Sequence, residues 1–239
     1  MIAPTACAHG LLHNNPVPQL LSIQVGRPKS YGTPHAPDPF DRTWRSAIFK
    51  QPVLGEVWLG EDSLQGDAVE NRQYHGGPDN AVLCYSAEHY AHWEQEWNVG
   101  ALPFGGFGEN FTIAGLNEQT VCLGDVYAIR EVRVQVSGPR KPCSKLERRW
   151  RRPGLIKRVQ ETNRGGWYAR VLQTGFVSAD VEVRLLERPR PRWTIARVCE
   201  VSYGRDSRGE SLDLCSVPEL APRWREWLMS KWEPSTCEV

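Results

Sequence analysis

Short runs in which apolar and polar residues alternate recur along the chain. Val132, Val134 and Val136 alternate with Arg133 and Gln135, and Val181, Val183 and Leu185 alternate with Glu182 and Arg184. A period of two puts one set of side chains on one face of a strand. Further strands are expected at Leu20–Val25, Trp44–Lys50, Ala81–Tyr85 and Thr112–Ile113, and within Pro52–Leu59 and Val121–Ile129. Cys122 falls inside the last of these and reads as core. Gly175 reads as the turn of a hairpin joining Trp167–Leu172 to Phe176–Val177.

Helical periodicity is rarer. Ser86 is expected to cap a helix carrying Tyr90, Trp93 and Trp97 at three- and four-residue spacing, which reads as a core face. Leu146–Arg152 has no breaker before Pro153, and Leu155, Ile156 and Val159 mark another helix ending near Asn163. Beyond Pro189 and Pro191 the pattern changes. Thr194 caps a helix with Ile195, Val198 and Val201, Ser216 with Pro218 is expected to open a second, and Pro222 begins a third. Many short strands with turns between them and no βαβ rhythm predict a mostly β fold with added helices. The expected form is a closed or nearly closed β-barrel followed by three helices. The expected division is a flexible lead-in over 1–19, a barrel over 20–188 and a three-helix unit over 192–235.

Composition narrows the class. The chain has 239 residues, a net charge of +1 and seven cysteines with no CxxC pair. The charge gives no whole-molecule field for a nucleic acid polymer or an anionic membrane. The cysteine pattern argues against a disulfide scaffold or a structural zinc site and fits a reducing cytoplasm. No stretch of 18 apolar residues is present, and Met1–Gln19 lacks the features of a signal peptide. Most of the ten tryptophans are expected to pack cores.

The chemistry gathers in three loops. The first, Ser137-Gly138-Pro139-Arg140-Lys141-Pro142-Cys143-Ser144-Lys145-Leu146, follows a strand and leads into a short helix. A free cysteine is ordinarily a small buried hydrophobe. Here Arg140, Lys141, Lys145 and a helix N-terminus surround Cys143, and each favours the thiolate that binds metals and attacks electrophiles. The second is His75-Gly76-Gly77-Pro78-Asp79, where two glycines give backbone access suited to an anion or a polar ring, or else form an ordinary turn. The third, Phe104–Phe111, is glycine-rich without the context of a dinucleotide site or a P-loop. Glu109 and Asn110 are its polar groups, and Asn110 can equally bond its own turn.

This ordered set of motifs resembles the MOSC-domain proteins, named for the C-terminal domain of molybdenum cofactor sulfurase, and within them the YiiM-like branch. Gly175-Phe176-Val177-Ser178-Ala179-Asp180 after Gly165-Gly166, and the helical tail, resemble that branch too. The resemblance implies a MOSC barrel binding the molybdenum cofactor, Mo-molybdopterin, with Cys143 as the thiolate ligand to molybdenum and the catalytic residue. Pyridoxal phosphate is not expected. Candidates for holding the cofactor are Arg72, His75, Gly76, Gly77, Asn110, Arg140, Lys141 and Lys145. The activity it implies is reduction of N-hydroxylated compounds, such as hydroxylaminopurines and amidoximes, to amines or amidines. A carrier of the cofactor or of persulfide sulfur is the alternative. A cysteine hydrolase with His75 as base lacks a completed triad, and a binding barrel without enzymatic activity is the remaining reading. No flavin, haem or iron–sulfur motif is visible, so a separate electron-donor protein is expected. Two departures stand out: Arg72-Gln73 replaces a lysine expected ahead of the His-Gly-Gly motif, and Ala221 stands where a capping serine is expected.

Overall fold

The computed structural model describes residues 17–204 and 208–232. The first half of this region forms β1 (Gln19–Val25), β2 (Lys29–Tyr31), β3 (Trp44–Ser46), β4 (Gln51–Pro52) and β5 (Val57–Leu59), then α1 (Arg72–His75) and a 3₁₀ turn over Pro78–Asn80. It continues through β6 (Val82–Ser86), α2 (Glu88–Trp97), β7 (Phe111–Ala114), β8 (Val126–Ile129) and β9 (Val132–Pro139). The second half holds α3 (Ser144–Trp150), α4 (Leu155–Thr162), β10 (Trp167–Gln173), β11 (Gly175–Val177), β12 (Val181–Glu182) and β13 (Arg184–Glu187). The tail is α5 (Ile195–Ser202), α6 (Arg208–Cys215) and α7 (Pro222–Ser230).

The main sheet runs β12-β1-β7-β6-β10-β9-β8-β13, with β4 added to β1. Its pairs are antiparallel except β6 with β7. The first and last strands of that path, β12 and β13, are separated in sequence by one buried residue, Val183. The chain therefore steps directly from one end of the sheet path to the other, and the sheet curls into a half-barrel whose end strands are not paired with each other. Alternation does the work expected of it in β9, where Val132, Val134 and Val136 are buried and Arg133 is exposed.

Three hydrophobic clusters fill the molecule. One lies inside the barrel, with Ile23, Phe111, Val134 and Trp167 among its members. A second, aromatic cluster joins α2, α3 and α4 through Tyr85, Tyr90, Trp93, Phe107 and Leu146. Here Tyr85 stacks on Phe107 at 4.6 Å, and Trp93 Nε1 donates to the Tyr85 hydroxyl at 2.7 Å. The aromatics of α2 are thus the core face expected of them. The third cluster joins the tail helices to the barrel through Leu123, with Trp193, Val198, Leu214 and Leu228.

Several local expectations are corrected. Gly175 does not turn a hairpin: β11 pairs with β5, while β10 pairs with β6 and β9. The alternation over Val181–Leu185 is not one strand but two, on opposite ends of the sheet path. Periodicity reports facing, not partners, so it cannot see this break. Ser86 ends β6, and its hydroxyl donates to Glu88 at 2.5 Å instead of capping α2, whose N-cap is Ala87. The second tail helix lies upstream of Ser216, over Arg208–Cys215, and Ser216 follows its end. Cys122 is buried but forms only an isolated bridge with Thr194. The other two tail readings hold: the Thr194 side chain accepts from the Arg197 amide at 3.1 Å, and Pro222 opens α7. Of the expected lead-in, residues 1–16 lie outside the described residues and Gln19 already belongs to β1. The expected tail unit also runs past residue 232, the last described.

Candidate functional site

A cavity of about 1160 Å³ opens on one side of the barrel. Its walls come from residues separated widely in sequence: the segment 45–50, the turn around His75–Pro78, Gly108 and Asn110, the loop 139–145, Tyr168, and α7. All eight residues proposed from sequence to hold a cofactor line it, together with Cys143.

Cys143 is the N-cap of α3, in extended backbone at φ −124° and ψ 163°. It is partly exposed and lines the cavity. Burial pushes the thiols of Cys84, Cys122 and Cys215 up. Burial acts on Cys143 in the same direction but is outweighed. A hydrogen bond from His75, the charges of Arg140 and His75, and the Lys145 amide bring its pKa down to about 7. That is the behaviour of a reactive thiol in an electropositive setting.

His75 closes the single turn of α1 and owes its place to the two glycines after it. Gly77 adopts φ +91°, which favours glycine, and no heavy atom lies within 4 Å of where its Cβ would be. Asp79 braces this turn: its carboxylate accepts from Arg170 Nε at 2.7 Å, and its carbonyl accepts from the Ser137 hydroxyl at 2.5 Å. The His-Gly-Gly turn and the strand leading to the cysteine loop are therefore tied directly together.

Arg140 is buried. Its amide donates to the Gly166 carbonyl at 3.0 Å and its Nη2 to the Phe107 carbonyl at 3.1 Å. Its Nη1 is buried with no partner among the described residues. An unpaired buried donor on a cation is costly unless something accepts from it. Lys145 Nζ lies 5.5 Å from the centre of the Trp44 ring, and Lys141 Nζ 4.4 Å from the centre of the Trp227 ring. Burial, with Arg223 nearby, lowers the Lys141 pKa. Arg72 is mostly exposed and paired with Asp62 at 3.2 Å, so it sits at the rim.

Asn110 is placed differently from a free ligand group. Its Oδ1 accepts from the Leu83 amide at 3.1 Å, and its Nδ2 donates to the Gln24 carbonyl at 3.2 Å and to Asp67 at 2.8 Å. Its polar atoms are engaged with protein, and it shapes the wall. Glu109 is likewise internal. It accepts from the amides of Gly105 at 2.7 Å and Phe107 at 3.0 Å, from the Thr112 hydroxyl at 3.0 Å, and from the Tyr90 hydroxyl. The glycine-rich loop is thus wound round its own carboxylate.

Sequence reading missed Lys50, Asp67, Tyr168 and the α7 tryptophans. Lys50 and Asp67 form a buried ion pair in the cavity wall, at 2.6 and 2.5 Å to the two carboxylate oxygens. Burial lowers the Lys50 pKa against the pull of Asp67. A lysine inside the apolar run Ala47–Val53 was the available signal; Asp67 looked like one more turn residue after Gly66. Tyr168 lines the cavity, and burial raises its pKa while Arg140 opposes the shift.

A curled β-barrel with one thiolate-favouring cysteine in a cation-rich cavity defines the class. The MOSC domain model matches residues 71–184. The chain is 35% identical over 214 residues to the uncharacterized protein YflK of Bacillus subtilis (strain 168), covering 89% of this chain and 93% of that one. It is 37% identical over 169 residues to a protein of Gibberella moniliformis named a reductase, covering 67% of this chain but only 29% of that longer one. The crystal structure of YiiM from Geobacillus stearothermophilus superposes with a TM-score of 0.73 at 34% identity, over 90% of this chain and 98% of that one. The chain belongs to the MOSC-domain family, in its YiiM-like branch. Among the described residues no helix is long and apolar enough to cross a membrane.

Proposed function

We propose that the protein is an oxidoreductase that holds the molybdenum cofactor on Cys143 and reduces N-hydroxylated compounds to amines or amidines, with electrons from a separate donor protein. The observation that carries this reading is Cys143 itself: a thiol favoured as thiolate at the wall of a large cavity that Arg140 also lines, the Arg140 Nη1 being buried without a partner among the described residues. These features fit the group. A thiolate is a soft ligand suited to a metal held by sulfur, the unpaired guanidinium donor suits an anion, and Gly77 leaves open space for a bulky neighbour. Cys143 would bind the metal, with Arg140, Lys141 and Lys145 answering the phosphate charge. The backbone around Gly76-Gly77 and the His75 ring would border the pterin.

When bound, the cofactor supplies two-electron removal of oxygen from the N–O group, with two protons consumed and water formed. The chain's own part is placement and protons. His75, beside the sulfur, would offer a ring N–H at the site, and Tyr168, on β10 next to Gly138, a hydroxyl. The Lys50–Asp67 pair keeps the Asn110 wall in position without adding net charge.

The test is metal analysis of wild type and Cys143→Ala, made in a cofactor-competent host, with fluorescence of the oxidised pterin released on denaturation. Molybdenum and pterin in wild type, lost or labile in the variant, support the reading, and turnover of an N-hydroxylated base with an artificial donor completes it. Wild-type protein without metal or pterin overturns it. The low Cys143 pKa also suits a sulfur carrier. That reading calls for sulfane sulfur on Cys143 and no reductase turnover.

A further inference from the structure

β9 carries the chain into the site: Gly138 and Pro139 still pair with Tyr168 and Trp167 of β10, and past them the backbone is held sparsely. Arg140 N is bonded to Gly166, but neither the Lys141 nor the Cys143 amide donates to another backbone carbonyl among the described residues, and Pro142 has no amide proton. The tail adds its own grip on the segment. The Ala221 amide donates to the Ser137 carbonyl at 2.9 Å, and Trp224 Nε1 donates to the Pro139 carbonyl at 3.0 Å. A Cβ on Gly138 would stand 3.0 Å from Trp224 Cδ1 and 3.2 Å from its Nε1, so the indole lies directly on the backbone there. Lys141 rests on Trp227, which packs edge-on against Trp224 at 5.2 Å. Just before α7, the Glu219 carbonyl accepts from Arg170 Nη2 at 2.9 Å, and Arg170 also holds Asp79 of the His-Gly-Gly turn.

We propose that Trp224 is a positioning residue for the cysteine loop, which makes the C-terminal helix a working part of the site and not an appended unit. The indole fixes the Pro139 carbonyl and covers Gly138, and those two residues set the direction in which Arg140 to Cys143 leave the sheet. Without that grip the loop is held by the β10 pairing and the Ser137–Asp79 bond at its start, by the Arg140 bonds and His75 along it, and by α3 at its end. The glycine of the Ser137-Gly138-Pro139 sequence also finds its reason here: a side chain at 138 would occupy the place of the indole.

The proposal rests on the functional reading only in taking this loop to be the cofactor's seat. It is tested on the full chain with Trp224→Phe, which keeps a ring against Gly138 but removes the N–H donor, with Trp224→Ala, and with the exposed α7 control Met229→Ala. Hydrogen exchange of the peptide covering 138–145 is compared with that covering 126–136, and molybdenum per chain is measured after gel filtration. Trp224→Phe is expected to speed exchange in 138–145 by about 3- to 10-fold, the scale of one lost hydrogen bond, with 126–136 and Met229→Ala unchanged. Molybdenum per chain falls several-fold in the same variant. Unchanged exchange over 138–145 in Trp224→Phe overturns the proposal, and that variant decides alone if Trp224→Ala does not fold. Should wild type carry no molybdenum, the functional reading fails and the exchange result still stands by itself.

Discussion

The Lys50 ammonium lies 2.6 and 2.5 Å from the two oxygens of Asp67, and the same carboxylate accepts from the Gly26 amide at 2.7 Å and from Asn110 at 2.8 Å. One buried carboxylate therefore joins β1, the β3–β4 connection and the glycine-rich loop at the cavity wall. Removing one partner of a buried pair strands the other charge, which costs about 3–5 kcal/mol. Asp67→Ala is expected to lose about that much in urea unfolding. The double variant Lys50→Met, Asp67→Leu is expected to recover a large part of it, because no charge is then left unpaired. Equal losses in the single and double variants would show that the pair's charges are not what matters.

The Cys143 thiol is expected to alkylate with a midpoint near pH 7 in cofactor-free protein, below the ordinary thiol value of 9.0. Burial works against this, and the His75 hydrogen bond is the largest of the groups that overcome it. His75→Ala should therefore move the midpoint upward, toward the range of an ordinary thiol. Peptide mass spectrometry after iodoacetamide, read at Cys143, follows it. A midpoint that stays near 7 in the variant would assign the effect to Arg140 and the Lys145 amide.

Two glycines, one lining the cavity and one behind Arg140, should respond differently to alanine. Gly166 has φ +80°, and a Cβ there would lie 2.4 Å from the Cys84 carbonyl oxygen. That contact is with backbone, which cannot swing aside, so Gly166→Ala should fail to give folded protein. Gly77 has φ +91° and ψ +167° with nothing within 4 Å, so Gly77→Ala carries only the conformational cost, about 1–3 kcal/mol. Thermal unfolding distinguishes the two. Similar losses at both positions would contradict this division between collision and backbone strain.

Stability should fall in acid partly through Glu219. Burial opposes its ionisation, but Arg190, at 2.9 Å, holds the carboxyl below the ordinary value of 4.5. A carboxyl with a lowered folded-state pKa adds stability that is present above the unfolded value and is lost as pH falls through the folded one. Glu219→Gln should thus weaken the protein at pH 7 and narrow the difference between its urea midpoints at pH 7 and pH 4. An unchanged difference would place the acid sensitivity elsewhere.

The sequence alone determined a good deal. Alternation over Val132–Val136, the tryptophan spacing of α2 and the Thr194 cap follow from local periodicity and capping, which depend only on near neighbours. The ordered motifs around His75 and Cys143 marked two walls of the cavity, because glycines and prolines restrict backbone wherever they stand. What the fold decided is who meets whom. Val181–Glu182 and Arg184–Glu187 share one apolar rhythm yet join opposite ends of the sheet path, since a period of two specifies a face and never a partner. Asn110 became a wall residue when Asp67, 43 positions away, took its amide. Lys50 turned inward because that same carboxylate waited for it, and Trp224 reached Pro139 across 85 positions because the tail helix packs back on the barrel. Contacts at such separations leave no periodic trace in the chain: their energy is realised only when the core closes, and only tertiary packing can choose among the partners that local chemistry leaves equivalent.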